Sequence, residues 1–117
     1  MITGTLDPVS NAGTWRDTIE FVDDETGTAY FTYSNSATHP TAITLKLRDQ
    51  ENGNEVLSIS MAAGDIVLAD DGIAEFTVAA TTMDDLEPKT YTVGVLYTYD
   101  GIVTQLILGS LPVLEGL

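Results

Sequence analysis

Residues 86–108 read LEPKTYTVGVLYTY, then Asp100-Gly101, then IVTQLIL: two runs rich in β-branched and aromatic residues flank a pair that takes positive φ readily. This is the pattern of a β-hairpin closed by a two-residue type I′ turn, and it predicts the central hairpin of the molecule, pivoting on Gly101. Because strand side chains alternate, Tyr91, Val93, Val95, Tyr97 and Tyr99 share one face of the first arm, and Thr92, Gly94, Leu96 and Thr98 the other. The first set is expected to face the interior. Nothing in the hairpin titrates near neutrality, so what it specifies is architecture.

Immediately upstream, Ala79 to Glu87 suits a single helical turn. Thr81 or Thr82 is expected to cap it, Asp84 or Asp85 to lie near the positive end of its dipole, and Met83 and Leu86, three apart, to face the core. Downstream, GSLPVLEGL (109–117) is expected to be an edge segment, because Pro112 cannot donate to a central ladder.

Further out, the same alternation recurs. TWRDTIEFV (14–22) places Trp15, Ile19 and Phe21 on one face against Arg16, Thr18 and Glu20, with Asp17 interrupting the apolar set. TAYFTY (28–33) reads as a second strand. AITLKLR (42–48) sends Ile43, Leu45 and Leu47 inward, and VLSISM (56–61), after an Asn52-Gly53 turn signal, returns with Leu57, Ile59 and Met61. Asp65 to Leu68 makes a short strand, Asp70-Asp71-Gly72 turns it back, and IAEFTV (73–78) alternates Ala74, Phe76 and Val78 with Glu75 and Thr77. MITGTLDPVSNAG (1–13) has few apolar groups to offset the cost of ordering it, so it reads as an arm held by its own sheet edge or by a neighbouring chain.

Seven to eight short strands, regular turn signals and one helical turn predict an all-β antiparallel sandwich over residues 14–117. Tyr91, entering the penultimate strand just after Leu86 and Pro88, stands where immunoglobulin-like sandwiches carry their tyrosine corner. Trp15, Phe21, Phe76, Leu86 and Tyr91 are the expected structural anchors.

Eighteen acidic residues against four basic ones leave a net charge of −14 on 117 residues, which repels phosphate backbones and anionic lipid. Neither nucleic acid nor membrane is therefore an expected partner. There is no cysteine, so disulfides and thiolate metal sites are ruled out. No apolar run approaches the ~20 residues that span a bilayer, and no secretion signal is expected.

Few residues suggest chemistry. His39 sits beside Pro40 in a polar loop with no serine-plus-acid pattern, and reads as a surface histidine. Paired acids fall on turn tips, where they are solvated, so neither a carboxylate pair for glycoside hydrolysis nor any other catalytic residue is assigned. Hard cations want several oxygens, which makes Asp23, Asp24 and Glu25, or Asp70 and Asp71, the candidate calcium ligands, although their spacing matches no EF-hand loop. An intramolecular isopeptide bond would need Lys46 or Lys89 buried beside an acid, and Lys46 is expected to point outward. No cofactor is expected.

The order of these parts resembles the immunoglobulin-like virion structural proteins of tailed bacteriophages, and is similar to the N-terminal domain of their upper baseplate proteins. The parts are TWRDTIEFVDDETGTAY, ITLKLRDQENGNEVLSIS, DDGIAEFTV, TTMDDL and LEPKTYTVGVLYTYDGIVTQLILGSLPVLEG, nearly the whole chain after Gly13. The resemblance implies a non-enzymatic role in a virus particle. The sequence departs from the baseplate proteins in ending at Leu117 without a trailing receptor-facing domain, which favours a capsid decoration or cement subunit. An acidic module is unfavourable beside packaged genome, which places it on the exterior. The expected partners are the major capsid protein or, alternatively, tail or baseplate proteins, with a homo-oligomer as a further state. Docking is expected through the arm (Ile2, Leu6, Pro8, Val9), the acidic tips, or the C-terminal edge (Leu111, Val113, Leu114). A module binding cell surfaces or carbohydrate is the reading from another class, and would show a patch of exposed aromatic rings.

Overall fold

The hairpin forms as its sequence specifies. In a computed structural model that describes residues 9–22, 26–49 and 53–116, β7 (Thr90–Tyr99) and β8 (Ile102–Leu114) pair antiparallel from Tyr99↔Ile102 to Thr90↔Pro112. Asp100 and Gly101 take φ of 52° and 76°, as a type I′ turn requires. On the far side of β7 lies β3 (Ala42–Arg48), and beyond it β4 (Glu55–Ser60). A two-residue strand, β1 (Val9–Ser10), runs parallel to the end of β8. The sheet order is thus β1-β8-β7-β3-β4.

The second sheet is β2 (Trp15–Glu20), β6 (Ile73–Val78) and β5 (Ile66–Asp70), in that order and antiparallel. Two sheets with these neighbours make an immunoglobulin-like β-sandwich of eight strands among the described residues. Its interior is one apolar cluster. Trp15, Ile19, Phe21, Ile66, Phe76 and Val78 meet Ile43, Leu45, Leu47, Leu57, Tyr91, Val93 and Val95, all buried. Trp15 and Phe76 pack edge to face with ring centroids 4.8 Å apart.

The tyrosine corner is present. The Tyr91 hydroxyl donates to the Glu87 carbonyl at 2.8 Å, tying the start of β7 to the crossover before it. Met83 and Leu86 both face the core from that crossover. The helical turn, α1 (Ala80–Met83), departs from expectation at both ends. Ala79 is its N-cap and provides no side-chain bond, while Asp84 is the C-cap, so the paired acids sit at the negative end of the dipole.

Three further expectations need correction. Residues 28–33 do not form a strand: a single antiparallel bridge joins Val22 to Ala29, after which the chain leaves. Among the described residues, the Phe21 carbonyl accepts from the Tyr30 N–H and the Gly72 N–H donates to the Phe31 carbonyl beside it. Composition suited a strand there, but among the described residues it pairs at a single bridge. Second, the expected edge segment is the end of β8: residues 109–112 pair with β7, and only Val113 and Leu114 are covered by β1. Val113 N–H donates to the Lys89 carbonyl, so Pro112 turns its missing donor away from β7, where none is needed. Third, Tyr99 is 44% exposed and does not share the burial of Tyr91 and Tyr97.

One residue extra on β8 separates the pairs Gly94↔Ile107 and Val93↔Gly109, and Gly109 takes φ 112° there. The bulge switches the inward phase of β8 from even to odd positions, from Leu106 to Leu111 and Val113. Of the predicted arm, Val9, Ser10 and Asn11 are part of the sandwich: Asn11 N–H donates to the Leu114 carbonyl and its Nδ2 to that of Leu86. Residues 1–8 lie outside the described residues.

Candidate functional site

His39, Asp70 and Asp71 hold loop and turn backbone. His39 places Nε2 2.9 Å from the Tyr33 carbonyl and 3.1 Å from that of Thr32, and its ring stacks on Tyr33. A proton on that nitrogen bonds the loop backbone. Thr38 and Asn35 reinforce the same loop through bonds to Thr32 N–H and Ala37 N–H. Asp71 accepts from the Tyr33 N–H at 2.7 Å and Asp70 from the Asp71 N–H at 2.8 Å. These two candidate calcium ligands therefore bond the backbone of the loop and the turn; Asp23, Asp24 and Glu25 lie outside the described residues. Among the described residues, no three histidines or acids gather as a metal site would require.

The lysines are paired at the surface. Lys46 lies 3.6 Å from Glu55. Lys89 bonds Asp49 and stands over the Tyr91 ring, and Asp49 holds the lysine charge in place by raising its pKa. This pair lines a polar hollow of about 390 Å³ together with Gly53 and Asn54. Opposite charges there cancel.

The expected docking residues divide. Leu111 and Val113 are core side chains at 0% and 2% exposure, a correction that follows from the bulge: Leu111 pairs with Tyr91, Val113 with Val9, and both are buried in the core. Val9 packs half-buried against the same core. Leu114 remains exposed. Ile2, Leu6 and Pro8 lie outside the described residues.

Tyr33, Val56, Val67 and Leu114 are exposed at separate places, and a further group of exposed apolar side chains sits at the tip of the central hairpin. Ile102 and Val103 are 67% and 60% exposed, and Tyr99 stands beside them. Tyr99, Ile102 and Thr104 continue the inward face of the large sheet past the shelter of the small one, and with Tyr30 and Tyr97 they line an open hollow of about 210 Å³. Its rings are mutually packed: Tyr30 meets Tyr97 edge on at 5.6 Å, and Tyr97 meets Phe21 at 5.0 Å. The Tyr97 hydroxyl is buried with no partner among the described residues, and burial pushes its pKa up to about 12. Sequence reasoning missed this patch because Tyr99 and Ile102 carry core-type side chains at core-phase positions. Their closeness to the turn was the available signal.

No family model and no curated protein matches the chain. Among solved structures, the endo-β-1,4-mannanase from Thermotoga petrophila is similar over 95% of this chain, with a TM-score of 0.56 and 14% identity. The chain spans 18% of the length of that enzyme. A likeness at this identity concerns the sandwich fold.

Proposed function

We propose that this chain is a non-enzymatic structural protein of a tailed-phage particle, a decoration or cement subunit seated on the exterior of the capsid. The observation that carries the reading is the division of its surface. His39, Asp70 and Asp71 bond loop and turn backbone, while Tyr99, Ile102 and Val103 expose apolar surface at one hairpin tip of a protein with net charge −14. Such a surface suits contact with neutral or basic protein and repels packaged nucleic acid. The resemblance of its strand order and corner motif to phage virion proteins supplies the particle, and the acidic charge supplies the exterior face. Major capsid protein is the proposed partner, and repeated copies on a symmetric shell would make a modest interface effective.

The test is particle stability. Heads assembled without this subunit should release their genome at lower temperature, and adding the purified protein should restore the wild-type release temperature. Added protein that neither sediments with such heads nor shifts release would defeat the proposal.

A further inference from the structure

Among the described residues, the outer edge of β8 is a long strand edge beside the exposed patch. β1 covers β8 only at Val113 and Leu114, and among the described residues no strand pairs the outer side of Ile102 to Leu106. The two-residue turn makes Tyr99 and Ile102 a hydrogen-bonded pair, so by alternation Val103 and Gln105 turn their N–H and C=O groups away from β7. The neighbouring ladder agrees, since the Thr98 carbonyl, opposite Val103, is taken up by Thr41 on the β3 side. Natural sheets blunt such edges with lysines, prolines or inward charges. This one does not. From Gly101 to Leu114 the chain has no charged residue at all, in a protein where 18 acids are spread through 117 positions, and its proline and bulge come only after Ile107.

We infer that Ile102 to Leu106 of β8 is a strand-addition site that receives an extended, neutral-to-basic segment of a different protein, with one apolar side chain of that segment entering the hollow between Tyr30, Tyr99 and Thr104. Main-chain bonds to Val103 and Gln105 hold the segment, and the hollow selects the side chain. An added strand lies about 4.8 Å beyond β8, so its inward residue opposite Thr104 faces the mouth of the hollow. The occupant is another protein and not a second copy, because two chains of charge −14 repel at contact while a basic segment is attracted. This inference deepens the reading of the protein as a docking subunit, but its test needs no virus particle.

The probe is an eight-residue synthetic peptide alternating threonine with valine or isoleucine, with a lysine at each end, titrated into the full chain under amide NMR. Saturable shifts centred on Val103 and Gln105, with slowed hydrogen exchange at those two amides, are expected. Gln105→Pro removes an outward donor, and Thr104→Lys puts a charge at the mouth of the hollow. Each should weaken binding at least tenfold, and the second keeps the test available if the first impairs folding. No saturable shift at millimolar peptide, or shifts centred elsewhere, would overturn the site. Concentration-dependent dimerisation abolished by Gln105→Pro would make a second copy the occupant and overturn the inference as stated. Binding seen only after residues 1–8 are removed would do the same in favour of the chain's own arm. Peptide binding without any association with phage heads would leave the edge site standing and remove the virion reading.

Discussion

Tyr91 and Tyr97 lie six residues apart on one face of one strand, and their hydroxyls meet opposite fates. Tyr91 donates to Glu87, whereas the Tyr97 hydroxyl is buried without a partner. A net hydrogen bond is worth about 1 kcal/mol, and an unsatisfied buried group costs about 1–3 kcal/mol. Tyr91→Phe should therefore destabilise by about 1 kcal/mol in urea titration, while Tyr97→Phe should be neutral or stabilising. The same phenol makes stability depend on pH. Its pKa is raised from 10.0 to about 12 by burial, with Tyr30 and Tyr99 adding to the effect. The unfolded chain gives up that proton first as pH rises, so the contribution is intact below pH 10 and is lost as pH rises through about 12. Tyr97→Phe should flatten that part of the stability profile, and an unchanged profile would count against the burial.

At the scale of elements, turns and alternation carried most of what could be read from sequence. Asp100-Gly101 fixed the hairpin, and the inward sets of β2, β3, β4 and β6 follow from period two. What could not be read depends on tertiary partners. Thr28 to Tyr33 has strand composition, but a strand needs a continuous edge to pair with, and among the described residues it makes one isolated bridge, Val22 to Ala29. The burial of Leu111 and Val113 depends on a one-residue bulge that reverses the phase of β8, for which Gly109 was the sole sign. The turns also differ in what their glycines must do. Gly72 (φ 67°) would bring a Cβ 2.8 Å from Ala29 Cβ and 2.9 Å from the Phe21 carbonyl, while Gly101 (φ 76°) has open space around it. Gly101→Ala should cost about 1 kcal/mol from backbone strain alone. Gly72→Ala adds the clash with Ala29 and the Phe21 carbonyl and should cost roughly 2–4 kcal/mol. Equal losses in thermal denaturation would contradict that packing.

For the whole molecule, charge and fold pull in different directions. A net charge of −14 with four basic residues repels itself in the compact state, and the described ion pairs, Lys46–Glu55 and Lys89–Asp49, are surface pairs. Salt should therefore stabilise the isolated protein. Raising ionic strength from about 0.01 M to about 1 M shortens the screening length from ~30 Å to ~3 Å and should raise Tm, whereas a fall would mean that the ion pairs outweigh the repulsion. A basic partner surface relieves the same repulsion, which joins this physics to the proposed role. The most direct test of that role is the position of the chain in the particle, measured by electron cryo-microscopy of phage assembled with and without it. The account predicts sandwich-shaped difference density at regular sites on the outer surface of the head, with the free edge of β8 turned toward a neighbouring subunit. Intact particles with no such density, or density on the genome-facing side of the shell, would contradict it.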